Sequence, residues 1–337
     1  MRGLILGKFL PPHCGHQYLI DFAAEYAGHV TVHVCTLPTD PIPGALRYQW
    51  MREQFHGRRD VTIIHCEDIV PQTPEEDPEH FWDIWRTTLL KRMDGPPDLV
   101  FASEPYGFPL AETLGARYVP VDHARAQVPV SGTHLREDPL RYWKYLIPPA
   151  RPYFIKRIAL VGPESSGKST LTERLAARYG AVFASEYARS YLDTVPAHWI
   201  SPEGENGFDA AALEAILRGQ RASVEAMARQ STNGILFSDT EAIVTSVWAD
   251  VLLGSIPPLA DAFVRSQKYD LYLLMAETES WVQDDSQRVQ PDIAERRRFS
   301  LACQARLDAH GYPYVRLTGN WDEREQQAVA AVDGLLR

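Results

Sequence analysis

The sequence predicts an α/β protein with two doubly wound parallel-sheet domains, and three observations support this fold class. Short apolar runs alternate with helical patterns along the chain, as in the βαβ units of a parallel sheet. The 337 residues exceed the size at which a single hydrophobic core usually stops growing. A proline-rich break at residues 147–152 divides the alternation into two series.

The first series contains five short runs rich in valine, isoleucine or leucine. We predict them as strands at Leu4–Leu6, Val30–Cys35, Val61–Ile64, Leu99–Ala102 and Tyr118–Val121. A helical pattern follows the first strand in Tyr18–Ala27, where apolar residues recur every four positions. The three prolines of Ile147–Pro152 cannot continue a helix or donate to a ladder, so the first domain is predicted at 1–150.

The second series begins after this break. Its predicted strands are Ile158–Val161, Val182–Phe183, Ile235–Phe237, Leu271–Met275 and Tyr314–Leu317. A closing helix is predicted from about Asp322, and the second domain is predicted at 154–337. The two halves share a fold class but carry different motifs, which argues against an internal repeat.

Charge and composition restrict the partners and the environment. Lys and Arg total 34 against 44 Asp and Glu, so the net charge of −10 argues against bulk nucleic-acid binding. Nucleotides remain allowed, because a phosphate site needs only local cations and backbone N–H groups. No apolar run approaches the ~18 residues of a membrane span, and the N-terminus lacks the apolar core of a signal peptide. The cysteines have no zinc-binding spacing and are predicted to be free thiols in a reducing cytoplasm: Cys14, Cys35, Cys66 and Cys303.

The strongest motif is Gly162–Ser169, which matches G-x-x-x-x-G-K-[ST] between a predicted strand and a predicted helix. Its glycines let backbone N–H groups approach phosphate oxygens. Lys168 would reach the β- and γ-phosphates of ATP, and the Ser169 hydroxyl would ligate Mg²⁺. A chance match in a glycine-rich turn is the alternative, and the strand–loop–helix context argues against it. The residues predicted to hold ATP here are Gly162, Ser165, Ser166, Gly167, Lys168, Ser169 and Thr170.

Other residues of the second half suit a kinase site. Asp239 ends an apolar run and is predicted to hold the metal, with a helix N-cap as the alternative. Charged residues are concentrated in 281–298, after the fourth predicted strand of this half, and they suit a lid that closes over the transferred phosphate. Arg288 in this lid would offset the negative charge that develops on the phosphate. The run Arg296–Arg298 is predicted to be a solvated helix face. Trp248 is predicted to pack in the core, with stacking on a planar ring as the alternative.

The first half carries its own motif in Gly7–His16, between the first strand and the first helix. Its two histidines, His13 and His16, could be zinc ligands or phosphate binders. Zinc would need two more clustered ligands, whereas imidazole donors at a helix N-terminus can stabilise charge on an α-phosphate. Ser131–Arg136 is a second candidate anion site, a capped helix followed by an arginine, for which a purely structural cap is the alternative.

Together these residues resemble the NadR-type family of bifunctional nicotinamide-nucleotide (NMN) adenylyltransferases and ribosylnicotinamide kinases. Residues 7–16 are similar to the HxGH signature of nucleotidyltransferases, and Ser131–Arg136 to their late phosphate-binding segment. The resemblance implies a Rossmann-like HxGH nucleotidyltransferase domain followed by a P-loop kinase domain. It also covers Ser103–Gly107, Ser185–Arg189 and the Asp284–Asp285 pair.

The resemblance implies two reactions, each using ATP and assisted by Mg²⁺. The first domain would adenylylate NMN to NAD and pyrophosphate, and the second would phosphorylate ribosylnicotinamide to NMN. The first site would comprise Gly7, Lys8, Phe9, His13, His16, Ser131 and Arg136, with Trp82 and Trp85 either stacking on nicotinamide or packing in a helix. The second would comprise Lys168, Ser169 and Asp239 for ATP and Mg²⁺, with Glu186, Arg189 and Trp248 on the nucleoside side. Either Asp239 or Glu186 would be the base.

Three departures from the family pattern are visible. Ser286 follows Asp284–Asp285 where the family commonly has glycine, and Glu241 stands where aspartate is common. Regulatory members carry a DNA-binding domain before the adenylyltransferase, whereas a strand is predicted here three residues after Met1, so we expect no DNA repression. The alternatives are the same chemistries on another nucleotide or a pantetheine-like substrate, or an ATP- and NAD-binding sensor with one inactive half. The sequence leaves the oligomeric state open, a homo-oligomer included.

Overall fold

A computed structural model of the chain describes residues 1–195, 209–267, 269–278 and 292–337. The chain divides into two compact units, Met1–Phe154 and Ile155–Arg337, and each is built on a parallel five-stranded sheet. The predicted fold class is therefore confirmed. Within the described ranges, no helix has the length and apolar character needed to cross a membrane.

The first unit orders its strands β3-β2-β1-β4-β5, all in parallel pairs. The strands are β1 (Arg2–Gly7), β2 (His29–Cys35), β3 (Val61–Cys66), β4 (Leu99–Ala102) and β5 (Arg117–Pro120). The helices are α1 (Cys14–Ala27), α2 (Gly44–Gln54), α3 (Phe81–Leu90), α4 (Gly107–Leu114), α5 (Gly132–Glu137) and α6 (Arg151–Phe154). Each predicted strand of this half overlaps an observed strand.

Alternate residues of β1 contribute to two cores, one on each face of the sheet. Ile5 packs with residues of α1 and α2, and Leu4 packs with residues of α3 and α4. β1 is the central strand, from which the chain adds strands first on one side and then on the other. Open parallel sheets bind ligands at this switch point, beyond the carboxyl ends of the strands. Gly7 and the turn that follows it therefore occupy the expected ligand position.

The second unit orders its strands β10-β9-β6-β8-β7, again all in parallel pairs. The strands are β6 (Lys156–Val161), β7 (Val182–Ala184), β8 (Ile235–Asp239), β9 (Leu271–Met275) and β10 (Tyr314–Leu317). The helices are α7 (Lys168–Tyr179), α8 (Tyr187–Thr194), α9 (Ala210–Gln230), α10 (Ala242–Leu253), α11 (Pro258–Ser266), α12 (Ile293–His310) and α13 (Trp321–Leu335). The central strand β6 leads directly into the Gly162–Ser169 loop.

The proline-rich segment continues no long helix, as predicted, but it contains two short helical turns that the sequence did not indicate. A short 3₁₀ turn covers Pro148–Ala150, and α6 follows it directly with Pro152 as its second residue. The first turn of a helix leaves its N–H groups unpaired, so the missing N–H of proline carries no cost there. The prolines therefore begin short helices rather than interrupt a long one.

Candidate functional site

Two histidines open the first helix of the first unit. His13 is the N-cap of α1, and its Nδ1 accepts a hydrogen bond from the Gly15 N–H at 3.1 Å. The Nδ1 of His16 accepts a hydrogen bond from the His13 N–H at 3.3 Å. Because each Nδ1 is an acceptor, each neutral ring carries its proton on Nε2. The turn therefore offers two N–H donors whose tautomers are set by the backbone.

Both imidazoles are neutral at pH 7. Their ring centroids are 3.8 Å apart, and His13 is only 7% exposed. Burial, assisted by the charge of Arg125, lowers the pKa of His13 to about 4. Burial also lowers the pKa of His16 well below its usual value, with smaller contributions from His13 and Arg125. The pair would therefore meet an anion as uncharged hydrogen-bond donors.

Ser131–Arg136 lies against the same turn. Ser131 caps α5 by accepting the His134 N–H at 3.2 Å, and Arg136 donates to the Leu10 carbonyl at 2.5 Å. Gly132 permits this approach, since a Cβ there would lie 2.4 Å from the Leu10 oxygen. The structure thus brings together two segments that are more than a hundred residues apart in the sequence.

Gly132→Ala should destabilise the first unit. The added Cβ would overlap the Leu10 oxygen, and because this atom belongs to the backbone, the turn must shift to make room. Overpacking of this kind costs about 1–3 kcal/mol in the free energy of unfolding. Denaturant unfolding measures the change, and Gly334→Ala, whose Cβ would meet nothing within 4 Å, is the matched control. Equal stabilities of the two variants would contradict the close approach.

Lys8 lies in the turn after β1, where a carboxylate engages it. Its Nζ is 3.4 Å from Asp40, which also binds the buried Arg47 at 2.6 Å. Arg47 donates in turn to the carbonyls of Lys8 and Ile42, so it fastens the turn to α2. Lys8 would have to leave Asp40 to reach a phosphate. Sequence reasoning missed Arg47, because an arginine held by carbonyl oxygens has no pattern of its own.

The two candidate tryptophans of α3 have different surroundings. Trp85 is 7% exposed and donates from Nε1 to the Pro71 carbonyl at 3.0 Å, so it belongs to the core. Trp82 is half-buried and meets Phe81 edge-to-face, with ring centroids 4.8 Å apart. Of the two, Trp82 keeps more ring surface available to a ligand.

The P-loop of the second unit is wound as its glycines predict. Gly162 and Gly167 have φ of +135° and +89°, and a Cβ on Gly162 would lie 2.7 Å from the Met275 oxygen. The Ser166 hydroxyl and the Lys168 ammonium both donate to the Pro163 carbonyl at 2.8 Å. Lys168 is therefore held across the loop, while Thr170 is exposed on the first turn of α7.

Two carboxylates and two cations meet around this loop. Ser169 hydrogen-bonds to Asp239 at the end of β8, and Glu186 pairs with Arg189 at 3.9 Å. Burial raises the pKa of both carboxyl groups, and the charges of Lys168 and Arg189 oppose the rise. The structure thereby groups five predicted site residues from three elements, α7, α8 with its N-cap, and β8.

Asp239 has the surroundings of a cation ligand. Its side chain is buried, and its Oδ1 has no hydrogen-bond partner among the residues that the structure describes. Such an oxygen is costly unless a cation meets it. The same part of the chain has no group of three His, Cys, Asp or Glu that could hold a metal, but Mg²⁺ needs only one or two protein oxygens beside phosphate and water. Asp239 and Ser169 fit that ion. The N-cap of α10 is Glu241 rather than Asp239, since it accepts the Ile243 N–H at 2.8 Å.

Gln220, in α9, is a positioning residue that sequence reasoning missed. Its amide nitrogen donates to the Ser238 hydroxyl at 3.2 Å, and its oxygen accepts the Tyr187 N–H at 2.7 Å. It therefore ties the end of β8 to the start of α8, which are the elements that carry the two carboxylates. The neighbouring Gly219 makes room, because a Cβ there would lie 2.0 Å from the Tyr187 ring.

The other predictions for the second half have mixed outcomes. Trp248 packs against Phe299, with ring centroids 4.8 Å apart, as expected for a core residue. Arg296 is buried and donates to a carbonyl at 2.8 Å, so the prediction of a solvated face was wrong for it. Arg296 precedes the buried Phe299 and Ser300 by one helical turn, so it lies on the packed face of α12. Arg288, the Asp284–Asp285 pair and Ser286 lie outside the described residues.

Each unit thus follows its central strand with a turn suited to phosphate, which defines an α/β nucleotide-binding protein with a P-loop domain. Residues 157–324 match a family model described as an AAA domain. The chain is 28% identical to the trifunctional NAD biosynthesis/regulator protein NadR of Escherichia coli (strain K12), over 99% of this chain and 83% of that protein. The NadR protein of Salmonella typhimurium is 27% identical over the same shares.

Solved structures share the fold of the whole chain. A NadR protein in complex with NR superposes with a TM-score of 0.80 and 24% identity, covering 99% of this chain and 96% of that one. A NadR protein in complex with NAD and AMP-PNP gives 0.77 and 23% with the same coverage. The chain is homologous to NadR proteins over 99% of its length, and the resemblance to this family that its motifs indicate is confirmed.

Proposed function

We propose that the chain is an enzyme of NAD biosynthesis that uses ATP in two ways, as an NMN adenylyltransferase in the first unit and a ribosylnicotinamide kinase in the second. The observation that carries this proposal is that the central strand of each unit leads into a helix through a turn suited to phosphate, in a chain that is similar to NadR proteins over 99% of its length. Those relatives are named NAD biosynthesis proteins, and NadR proteins have been crystallised with NR and with NAD and AMP-PNP.

In the first unit, the phosphate of NMN attacks the α-phosphorus of ATP and pyrophosphate leaves. The attacking phosphate is already ionised, so the step needs no general base. His13 and His16 would donate their Nε2–H groups to the α-phosphate oxygens, where negative charge accumulates. The N-terminus of α1 and the Arg136 guanidinium would hold the rest of the triphosphate. Positioning and electrostatic stabilisation would therefore supply the catalysis.

In the second unit, the 5′-hydroxyl of ribosylnicotinamide attacks the γ-phosphorus of ATP and ADP leaves. Lys168 would offset charge on the β- and γ-phosphates, and Mg²⁺ held by Asp239 and Ser169 would supply further neutralisation. Glu186 would accept the hydroxyl proton, because burial raises its pKa and because Asp239 serves the cation. Arg189 would lie on the nucleoside side.

Purified protein supplied with Mg-ATP tests both reactions. With ribosylnicotinamide we expect NMN and ADP first, then NAD and pyrophosphate, and EDTA should stop the synthesis. The same assay with a nicotinic acid nucleoside, its mononucleotide and pantetheine phosphate separates the alternative substrates. Tight ATP binding without turnover of any acceptor would contradict the proposal and favour a sensor.

Arg125 is a candidate ATP ligand that the sequence did not indicate. It lies in a loop after β5. The Asp122 carboxylate holds this loop by accepting the N–H groups of residues 126–128 at 2.8 to 3.3 Å. Val128 of this loop lies 3.7 Å from where a Gly15 Cβ would stand, so the loop borders the histidine turn. Arg125 has a left-handed φ of 51°, and its charge lowers the pKa of both histidines. It therefore adds a cation to a turn with neutral donors.

Arg125→Ala should weaken ATP binding in NAD formation about 10- to 100-fold, the value of a charge-assisted hydrogen bond. It should also raise the pKa of His13 and His16, because removing a nearby cation favours their protonated forms. The KM for ATP and an NMR titration of the imidazoles measure the two effects. Arg117→Ala, at an exposed position on β5, is the control. Unchanged imidazole pKa values would contradict the placement of Arg125.

A further inference from the structure

Cys35 and Cys66 lie side by side at the edge of the first sheet. Cys35 ends β2, Cys66 ends β3, and the two are register partners in a parallel pair of strands. Neighbouring strands are about 4.8 Å apart, and partners in register project to the same face. Disulfides form between residues whose Cα atoms are about 4.4–6.8 Å apart. Both thiols are reduced in the structure, and they could be joined with little backbone movement.

The two thiols differ in character. The Cys66 thiol is buried and lies 3.5 Å from the Asp68 carboxylate. The Cys35 thiol is half-buried, so solvent reaches the pair on its side. The pKa of Cys66 is lowered, chiefly by the neighbouring Cys35 thiol and then by His33 and Arg92, against the opposing effects of burial and of the Asp68 carboxylate. The neighbouring Cys66 thiol and burial raise the pKa of Cys35. A thiolate with a thiol beside it is the arrangement of an attacking and a resolving cysteine.

We propose that Cys35 and Cys66 form an oxidative modification site, at which a hydroperoxide closes a reversible disulfide between β2 and β3. The Cys66 thiolate attacks one peroxide oxygen and the O–O bond breaks, which gives a sulfenic acid on Cys66; the hydroxide or alkoxide that leaves takes a proton from solvent and becomes water or an alcohol. The Cys35 sulfur then attacks the sulfenic sulfur, the S–O bond breaks, and the hydroxide leaves as water with the Cys35 proton. Two electrons pass from the thiols to the peroxide.

This site is independent of the proposed function. It uses neither the histidine turn nor the P-loop. The remaining cysteines lie on other elements, Cys14 at the start of α1 and Cys303 on the buried face of α12. The site therefore predicts one particular pairing among the four thiols of the chain.

Thiol counting on the full chain tests the proposal. Reduced protein is treated with equimolar hydrogen peroxide, denatured, alkylated and digested. We expect two of the four thiols to be lost, a peptide pair joined through Cys35 and Cys66, and full recovery with dithiothreitol. Cys303→Ala is the matched control and should form the same bond.

Two variants separate the steps. Cys35→Ser should accumulate a sulfenic acid on Cys66 that dimedone traps, and Cys66→Ser should keep all of its thiols at the same dose. Four alkylated thiols in the oxidised wild-type chain would overturn the proposal, as would a joined peptide that contains Cys14 or links two molecules. The wild-type measurement decides the matter even if one variant fails to fold.

Discussion

Lys168→Met should abolish phosphorylation of ribosylnicotinamide and leave the formation of NAD from NMN intact. Lys168 is the P-loop cation that faces the buried Asp239 and the half-buried Glu186, and methionine keeps its length while removing its charge. Losing one preorganised charge contact costs roughly 10²–10³-fold in kcat, and a phosphate cation belongs at the upper end of that range. Release of ADP with ribosylnicotinamide and appearance of NAD with NMN measure the two activities separately.

Arg178→Ala provides the control for this prediction. Arg178 is an exposed cation near the other end of α7, so its removal changes the charge of the helix without touching the loop. Both activities should persist in this variant. A folded Lys168→Met protein that forms no NAD from NMN would show that the two reactions do not use separate sites.

His16→Ala should have the opposite pattern, with NAD formation falling about 10²–10³-fold and the kinase activity unchanged. Alanine removes the Nε2–H donor and also leaves the His13 N–H without its acceptor at the start of α1. His16→Gln keeps an N–H donor on a side chain of similar reach, so it should recover part of the lost rate. The kcat of NAD formation with saturating NMN is the quantity to compare.

His56→Ala is the matched control, because His56 is exposed in the same unit and follows α2 rather than the histidine turn. It should retain both activities. An equal loss in His56→Ala and His16→Ala would indicate a general effect on the first unit. A kinase rate that falls together with NAD formation in His16→Ala would contradict the assignment of this histidine.

Much of the fold could be predicted because strands buried on both faces are apolar runs, as Leu99–Ala102 and Leu271–Met275 illustrate. The P-loop could be predicted for a different reason. Its chemistry is local, since two glycines must adopt positive φ and one lysine must follow them within a few residues. Both features depend on residues that are neighbours in the chain.

The parts of the site that could not be predicted depend on residues that are distant in the chain. Gln220, on α9, hydrogen-bonds to β8 and to the start of α8. Arg47, on α2, donates to the Lys8 carbonyl in the turn after β1. Each is recognised only from the groups around it, which come together after folding. Arg296 shows the same limit, since Arg297 and Arg298 are exposed while its own side chain is buried.

The backbone contacts of His13 and His16 make the start of α1 insensitive to mild acid. Ordinary imidazoles change charge near neutrality, but burial lowers the pKa of His13 to about 4, so the ring keeps one form well below neutral pH. A second proton would have to enter at Nδ1, so it would first have to displace the Gly15 N–H. More strongly acidic solution would thus remove the N-cap of α1, while the His13 ring kept its Nε2–H donor.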